Sequence, residues 1–142
     1  MDFQIEAVLR LLLAIVLGGL IGLQREMSGK EAGLRTHVLI CAGAALFTIV
    51  SLYGFSGDSR IAAGVVSGIG FIGAGVILHR TGGSVIGLTT AATIWAAASI
   101  GLLVGSGLYI IAVIATVLIL GVLYIPHIPH VNNHDNHGGV QK

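Results

Sequence analysis

Charge is scarce in this chain: 7 Lys and Arg and 6 Asp and Glu among 142 residues, 9% in all. A water-soluble domain ordinarily carries about 25% charged residues, so lipid is the expected solvent. No Asp or Glu occurs between Asp58 and Asp135, and none of Asp, Glu, Lys or Arg between Thr81 and His134. No two carboxylates converge in the apolar segments and no nucleophile–base pattern stands out, so no enzyme and no cofactor are expected. The net charge of +1, with no basic patch interleaved with aromatics, gives nucleic acid no footing. One cysteine, Cys41, excludes an intrachain disulfide, and its apolar setting reads as packing. The acidic opening Met-Asp-Phe-Gln-Ile-Glu is not that of a cleaved signal peptide.

Glycine is plentiful, with 22 residues, and crowds two apolar stretches, 64–77 and 87–95. Gly68-x-Gly70-x-x-Gly73 matches the spelling of a dinucleotide-binding turn, but that motif needs a preceding strand and a later acidic residue. Here the glycines lie inside an apolar run, so they read as contacts between close-packed membrane helices.

About 20 apolar residues cross a hydrocarbon core of roughly 30 Å. Segments 7–23, 36–53 and 61–78 each fit one crossing. The stretch 85–125 would make about 60 Å of helix, so it must turn back, and Gly105-Ser-Gly107 offers the break. Spans near 88–104 and 108–125 follow. The expected fold is an all-α membrane protein, a bundle of five transmembrane helices over 1–125, followed by a disordered, histidine-containing cytoplasmic tail over 126–142. Arg25, Lys30, Arg35, Arg80 and Lys142 fall on one side and only Arg10 and Arg60 on the other. That bias places the C-terminus in the cytoplasm and the N-terminus outside.

Small residues recur every four positions: Ala14, Gly18 and Gly22; Gly64 and Gly68; Thr93, Ala97, Gly101 and Gly105. Such stripes let backbones approach, so Gly64, Gly68, Gly70, Gly73, Gly75 and Gly101 are read as packing or docking positions, within the bundle or across a homodimer. On that reading Gly68→Leu pushes neighbouring helices apart.

The polar candidates are few. The first loop gathers Arg25, Glu26, Lys30, Glu31, Arg35 and His37, either to fix topology or to bind an anion or a partner protein at the bilayer surface. Glu6 and Arg10 can pair at i, i+4 at the outer end of the first span, with Arg10 either snorkelling outward or serving a function. His79 and Arg80 close the third span where cations suit a helix dipole. Thr89, Thr90 and Thr93 can bond backbone or neighbouring helices, and Trp95 reads as packing. His130, His134 and His137 could share one helical face and hold a transition metal, although Asn132, Asn133 and two prolines favour a solvated, irregular end. No Asn or Gln and no converging carboxylates lie within the expected spans, which argues against direct cation transport.

The runs Arg10-Leu-Leu-Leu-Ala, Gly19-Leu-Ile-Gly-Leu-Gln-Arg-Glu26, Ala32-Gly-Leu-Arg-Thr-His37, Gly68-Ile-Gly-Phe-Ile-Gly-Ala-Gly-Val-Ile77 and Gly87-Leu-Thr-Thr-Ala-Ala-Thr-Ile-Trp95 together resemble the MgtC/SapB family of bacterial inner-membrane proteins. The likeness runs in order from about residue 6 to 125. It implies a multi-pass protein of the cytoplasmic membrane with a role in magnesium homeostasis, growth at low Mg²⁺ and, in pathogens, survival inside phagocytes. The mechanism it implies is regulatory: contact with the membrane part of the F-type ATP synthase. A small oligomeric transporter or channel for Mg²⁺ or another ion is the alternative, and a metal buffer acting through the tail a third. Arg25, Glu26, Gly33, Arg35, Thr36 and His37 become the cytoplasmic constellation, with the third-span glycines shaping a docking face. The family usually has Glu where this chain has Gln24. Members that act in virulence carry an ACT-like C-terminal domain where this sequence has the histidine tail, so a short form is expected.

Overall fold

A computed structural model of the chain describes residues 3–54, 59–78 and 86–125. Five helices account for nearly all of them, and no strand occurs among the described residues: α1 Phe3–Met27, α2 Leu34–Ile49, α3 Arg60–Leu78, α4 Leu88–Gly105 and α5 Tyr109–Leu123. α2 runs on through a π-helical turn, Val50–Gly54, so that its apolar length is Leu34–Gly54. The α1, α2, α3 and α4 segments are long and apolar enough to cross a membrane. α5 is shorter than the sequence suggests. Its 15 residues rise about 22 Å, because Gly107 (φ +83°) and Leu108 are spent on the turn and Pro126 disfavours helix at the residue before it.

α2 is the centre of the bundle, packed on α1 along one side and on α4 along the other. Ala14, Leu17, Ile21, Cys41, Ala45, Ile100, Val104 and Ala112 form the main core. Two small-residue stripes set how closely these helices meet. A methyl group at Gly18 would come within 2.6 Å of Cys41 Cβ, and one at Gly22 within 2.7 Å of Leu34 Cα. On the other side of α2, a methyl at Gly105 would lie 2.6 Å from Thr48 Cβ. Side chains any larger would force these backbones apart, and with them the dispersion contacts that replace a hydrophobic drive between helices in lipid.

α3 behaves differently. It leans mainly on α4, with Ile69 and Gly73 its buried residues. A methyl group at Gly64, Gly68, Gly70 or Gly75 would meet nothing within 4 Å, and one at Gly73 only the ordinary contact of Ala91 at 3.6 Å. The same spacing that joins α2 to α4 is therefore left open on α3. A first side-chain carbon at Gly68 has no intrachain neighbour to displace, so the spacing there marks no close contact within the bundle. Trp95, read as packing, is more than half exposed on the outer face of α4.

Candidate functional site

The first-loop motif builds a tight helical hairpin. α1 ends when Ser28, Gly29 and Lys30 turn their N–H groups back to the carbonyls of Gln24, Glu26 and Arg25. Gly33 is the N-cap of α2 and has no side chain to satisfy the first-turn donors. Glu26 does so from α1: its Oε2 accepts from the Leu34 N–H at 2.8 Å. A methyl at Gly33 would press within 2.8 Å of that same oxygen, which explains why Glu26 and Gly33 occur together. Glu26→Ala should cost about 1 kcal/mol, the usual worth of a cap, and Glu26→Gln less, since an amide oxygen still accepts. Thermal unfolding of the two variants in one detergent checks the order.

Behind this hairpin two candidate residues turn inward. His37 is fully buried and Arg25 is 3% exposed. The Arg25 side chain leans back toward the N-terminus of its helix, as helical side chains do, and donates from Nη2 to Thr90 Oγ1 of α4 at 3.1 Å. His37 Nδ1 sits 2.9 Å from the Gly33 carbonyl. Arg25 Nε and His37 Nε2 are buried without a partner. Arg35 is exposed and makes no hydrogen bond or ion pair among the described residues, and Thr36 is half-buried. The constellation thus divides: Arg25 and His37 are both buried, Glu26 and Gly33 join α1 to α2 at the loop, and Arg35 stands apart. Gln24 also earns its amide, donating from Nε2 to Ser28 Oγ at 3.1 Å and to the Leu123 carbonyl of α5 at 3.4 Å, which a carboxylate could not do.

At the opposite end of α1 lies a second polar cluster. Arg10 is 6% exposed and does not snorkel outward. It donates from Nη1 to the Gly105 carbonyl at 2.6 Å, and from Nη2 to Tyr53 Oη at 3.0 Å and to Glu6, its ion-pair partner. Its guanidinium also lies 5.3 Å and 5.8 Å from the ring centres of Tyr53 and Tyr109, and Tyr109 Oη donates to Glu6 at 3.3 Å. The Glu6–Arg10 pair was legible from its spacing. The two tyrosines were not, although each stands at the end of an apolar segment, where aromatic residues with a polar tip are favoured.

Between α2 and α3 runs an apolar groove of about 550 Å³, lined by Leu39, Gly43, Phe47, Gly64, Gly68 and Ile72 among others. Among the described residues no three His, Cys, Asp or Glu side chains gather as a metal site. His79, Arg80, His130, His134 and His137 lie outside the described residues.

The model of the MgtC family matches residues 11–130. The chain is 55% identical over 114 residues to a protein of Escherichia coli (strain K12) named "Putative magnesium transporter YhiD", covering 73% of this chain and 53% of that one. It is 50% identical over 104 residues to "Protein MgtC" of Brucella abortus (strain 2308), covering 72% and 43% respectively. The chain spans about half the length of the curated relatives it matches. No solved structure matches it.

Proposed function

This chain belongs to the MgtC family, and from that premise we propose that it is a non-enzymatic regulator of Mg²⁺ homeostasis that acts by binding another membrane complex. Its place is the bacterial cytoplasmic membrane, with the N-terminus outside and the C-terminus inside, and its role is adaptation to low Mg²⁺ or to life inside a host cell. The membrane part of the F-type ATP synthase is the partner implied by the family likeness. The α2–α3 groove carries this reading. Its walls meet at Gly43, Gly64 and Gly68, whose missing side chains leave room for a helix to lie close. Arg35, exposed on α2 four residues before the groove-lining Leu39, is available to an acidic group.

The name of the Escherichia coli relative favours a second reading, a small oligomeric Mg²⁺ transporter. The donor chemistry of the single bundle speaks against it. Among the described residues the buried charged side chains are Arg10 and Arg25, and a fixed guanidinium repels a divalent cation. A cation path would have to run between copies.

Crosslinking in native membranes followed by capture of the tagged chain separates the two. Wild type is expected to enrich a synthase membrane subunit, and Gly68→Leu and Arg35→Ala to lose it while their unfolding temperatures stay within a few degrees. Equal enrichment by wild type and both variants removes the regulatory reading. Mg²⁺ flux into liposomes above that of empty vesicles installs the transporter in its place.

A further inference from the structure

The groove between α2 and α3 is apolar along its whole lining. Ala44, Ile69 and Ala98 are buried at its floor, so three helices build it. Gly43, Gly64 and Gly68 leave its walls bare, and a methyl at any of them would meet nothing within 4 Å. Along α3 the lining runs from Ile61 to Ile72, a rise of about 16 Å. That is the depth of one leaflet of a hydrocarbon core of roughly 30 Å. Spread over this length, 550 Å³ is a channel about 6–7 Å wide. A helix of about 10–12 Å can rest on such an opening, whereas an extended hydrocarbon chain fits inside it.

Helical spacing leads from this channel to its mouth. Thr36, Ile40, Gly43 and Phe47 recur at i, i+4, i+7 and i+11, which is one face of α2. The last three line the groove. Thr36 therefore continues that face one turn beyond it, and Arg35 stands beside Thr36, four residues before Leu39. Both belong to the first turn of α2, at the boundary of a segment long enough to cross a membrane. Helical side chains lean toward the N-terminus, which here keeps the Arg35 charge out of hydrocarbon. Arg35 is exposed, and neither its guanidinium nor the Thr36 hydroxyl has a hydrogen-bond partner among the described residues. Glu26 already takes the Leu34 N–H, so what α2 offers at the mouth is one cation and one hydroxyl donor.

A channel of leaflet depth that ends on a guanidinium and a hydroxyl matches an amphiphile: one long chain inside, anionic oxygens at the mouth. Charge selects among such molecules. A zwitterionic lipid carries its own cation beside the phosphate, and Arg35 repels it, whereas a lipid of net negative charge brings only the attraction. We propose that the α2–α3 groove, with Arg35 and Thr36 at its mouth, binds one anionic phospholipid. An acyl chain lies along the groove, and the phosphodiester oxygens accept from the Arg35 guanidinium and the Thr36 hydroxyl. The inference shares the groove with the regulatory reading but needs no protein partner. A helix docking there would cover the lipid or displace it.

The test uses the full chain, purified in detergent, equilibrated with equal amounts of dioleoyl phosphatidylglycerol and dioleoyl phosphatidylcholine, and weighed by native mass spectrometry. Wild type is expected to retain one lipid, with phosphatidylglycerol favoured about tenfold or more, as a charge-assisted hydrogen bond allows. Arg35→Gln should still retain one lipid but lose the preference. Thr36→Val keeps the side-chain shape without the donor, so retention of phosphatidylglycerol should fall about fivefold. Gly43→Leu grows a side chain into the channel and should release both lipids, and Gly64→Leu blocks it independently from the facing wall. Unfolding temperatures in phosphatidylcholine nanodiscs confirm which variants fold. The proposal is overturned if wild type retains both lipids equally, if Arg35→Gln keeps the preference, or if folded Gly43→Leu and Gly64→Leu hold lipid as wild type does. The purified chain has no partner present, so lipid retention and partner capture fail or succeed separately.

Discussion

Gly101→Val should prevent the bundle from assembling, and this is among the largest effects expected of any single change in the chain. A first side-chain carbon at 101 would run into the Cys41 carbonyl oxygen, lie 2.7 Å from Ala44 Cβ and 3.1 Å from the Ala45 nitrogen. Two of these three neighbours are α2 backbone, so no rotamer change relieves the contact. The helices must separate, and Ile94, Ala97, Ala98 and Val104, all buried on α4, lose part of their packing. Overpacking ordinarily costs about 1–3 kcal/mol, occasionally more, and a backbone collision lies at the upper end. Helix propensity pulls the other way, since replacing Gly in a helix interior returns up to about 1 kcal/mol. Gly101→Ala therefore decides which effect wins, and the steric one should. Gly64→Ala is the control: nothing lies within 4 Å of its added methyl, so propensity acts alone and stability should hold or rise. Unfolding temperatures and size-exclusion profiles in one detergent measure all three. A Gly101→Val protein that elutes and melts like wild type would mean that α2 and α4 do not meet as described.

The contrast between Gly101 and Gly64 also marks where sequence reading stops. Gly64 and Gly68 are spaced as Gly101 and Gly105 are, in equally apolar surroundings. Spacing says that a close approach is permitted and carries nothing about which helix makes it. The number and order of helices followed directly from apolar length, and the turn at Gly107 from its glycines. At the α1–α2 loop, Arg25, Glu26, Gly33 and His37 lie on one hairpin, because the turn that joins the two helices is local in sequence. Arg35 lies in the same motif but faces out, because α2 turns it about 100° per residue away from its neighbours. The partners of Arg10 come from Tyr53, Gly105 and Tyr109, the hydrogen-bonded Gly105 being 95 positions away. No local pattern encodes them. Thr90, reached from Arg25 across 65 positions, was legible only as a hydroxyl able to bond a neighbouring helix.

Those distant partners make Arg10→Ala the other change with a large effect. One guanidinium ties α1 to the last carbonyl of α4, to the π-helical turn after α2 and, through two aromatic rings and Glu6, to the start of α5. Truncation leaves the Gly105 carbonyl without this donor, opens a cavity and strips Glu6 of its cation. Removing one member of a buried, hydrogen-bonded ionic cluster costs about 3–5 kcal/mol, and the loss should appear as early separation of the ends of α1, α4 and α5 that meet at Arg10. Hydrogen exchange localises it: the hydrogen-bonded amides of Gly107, Leu108 and Ala112 should lose protection first, while those around Gly18 and Cys41 hold. Arg10→Met distinguishes charge from bulk. It refills the volume without a donor, so recovery to wild-type stability would show that the clamp works by packing. Continued loss would show that the hydrogen bonds do the holding, as expected where a helix-end carbonyl has no water to turn to. Unchanged protection at the α4–α5 turn in Arg10→Ala would remove the clamp altogether.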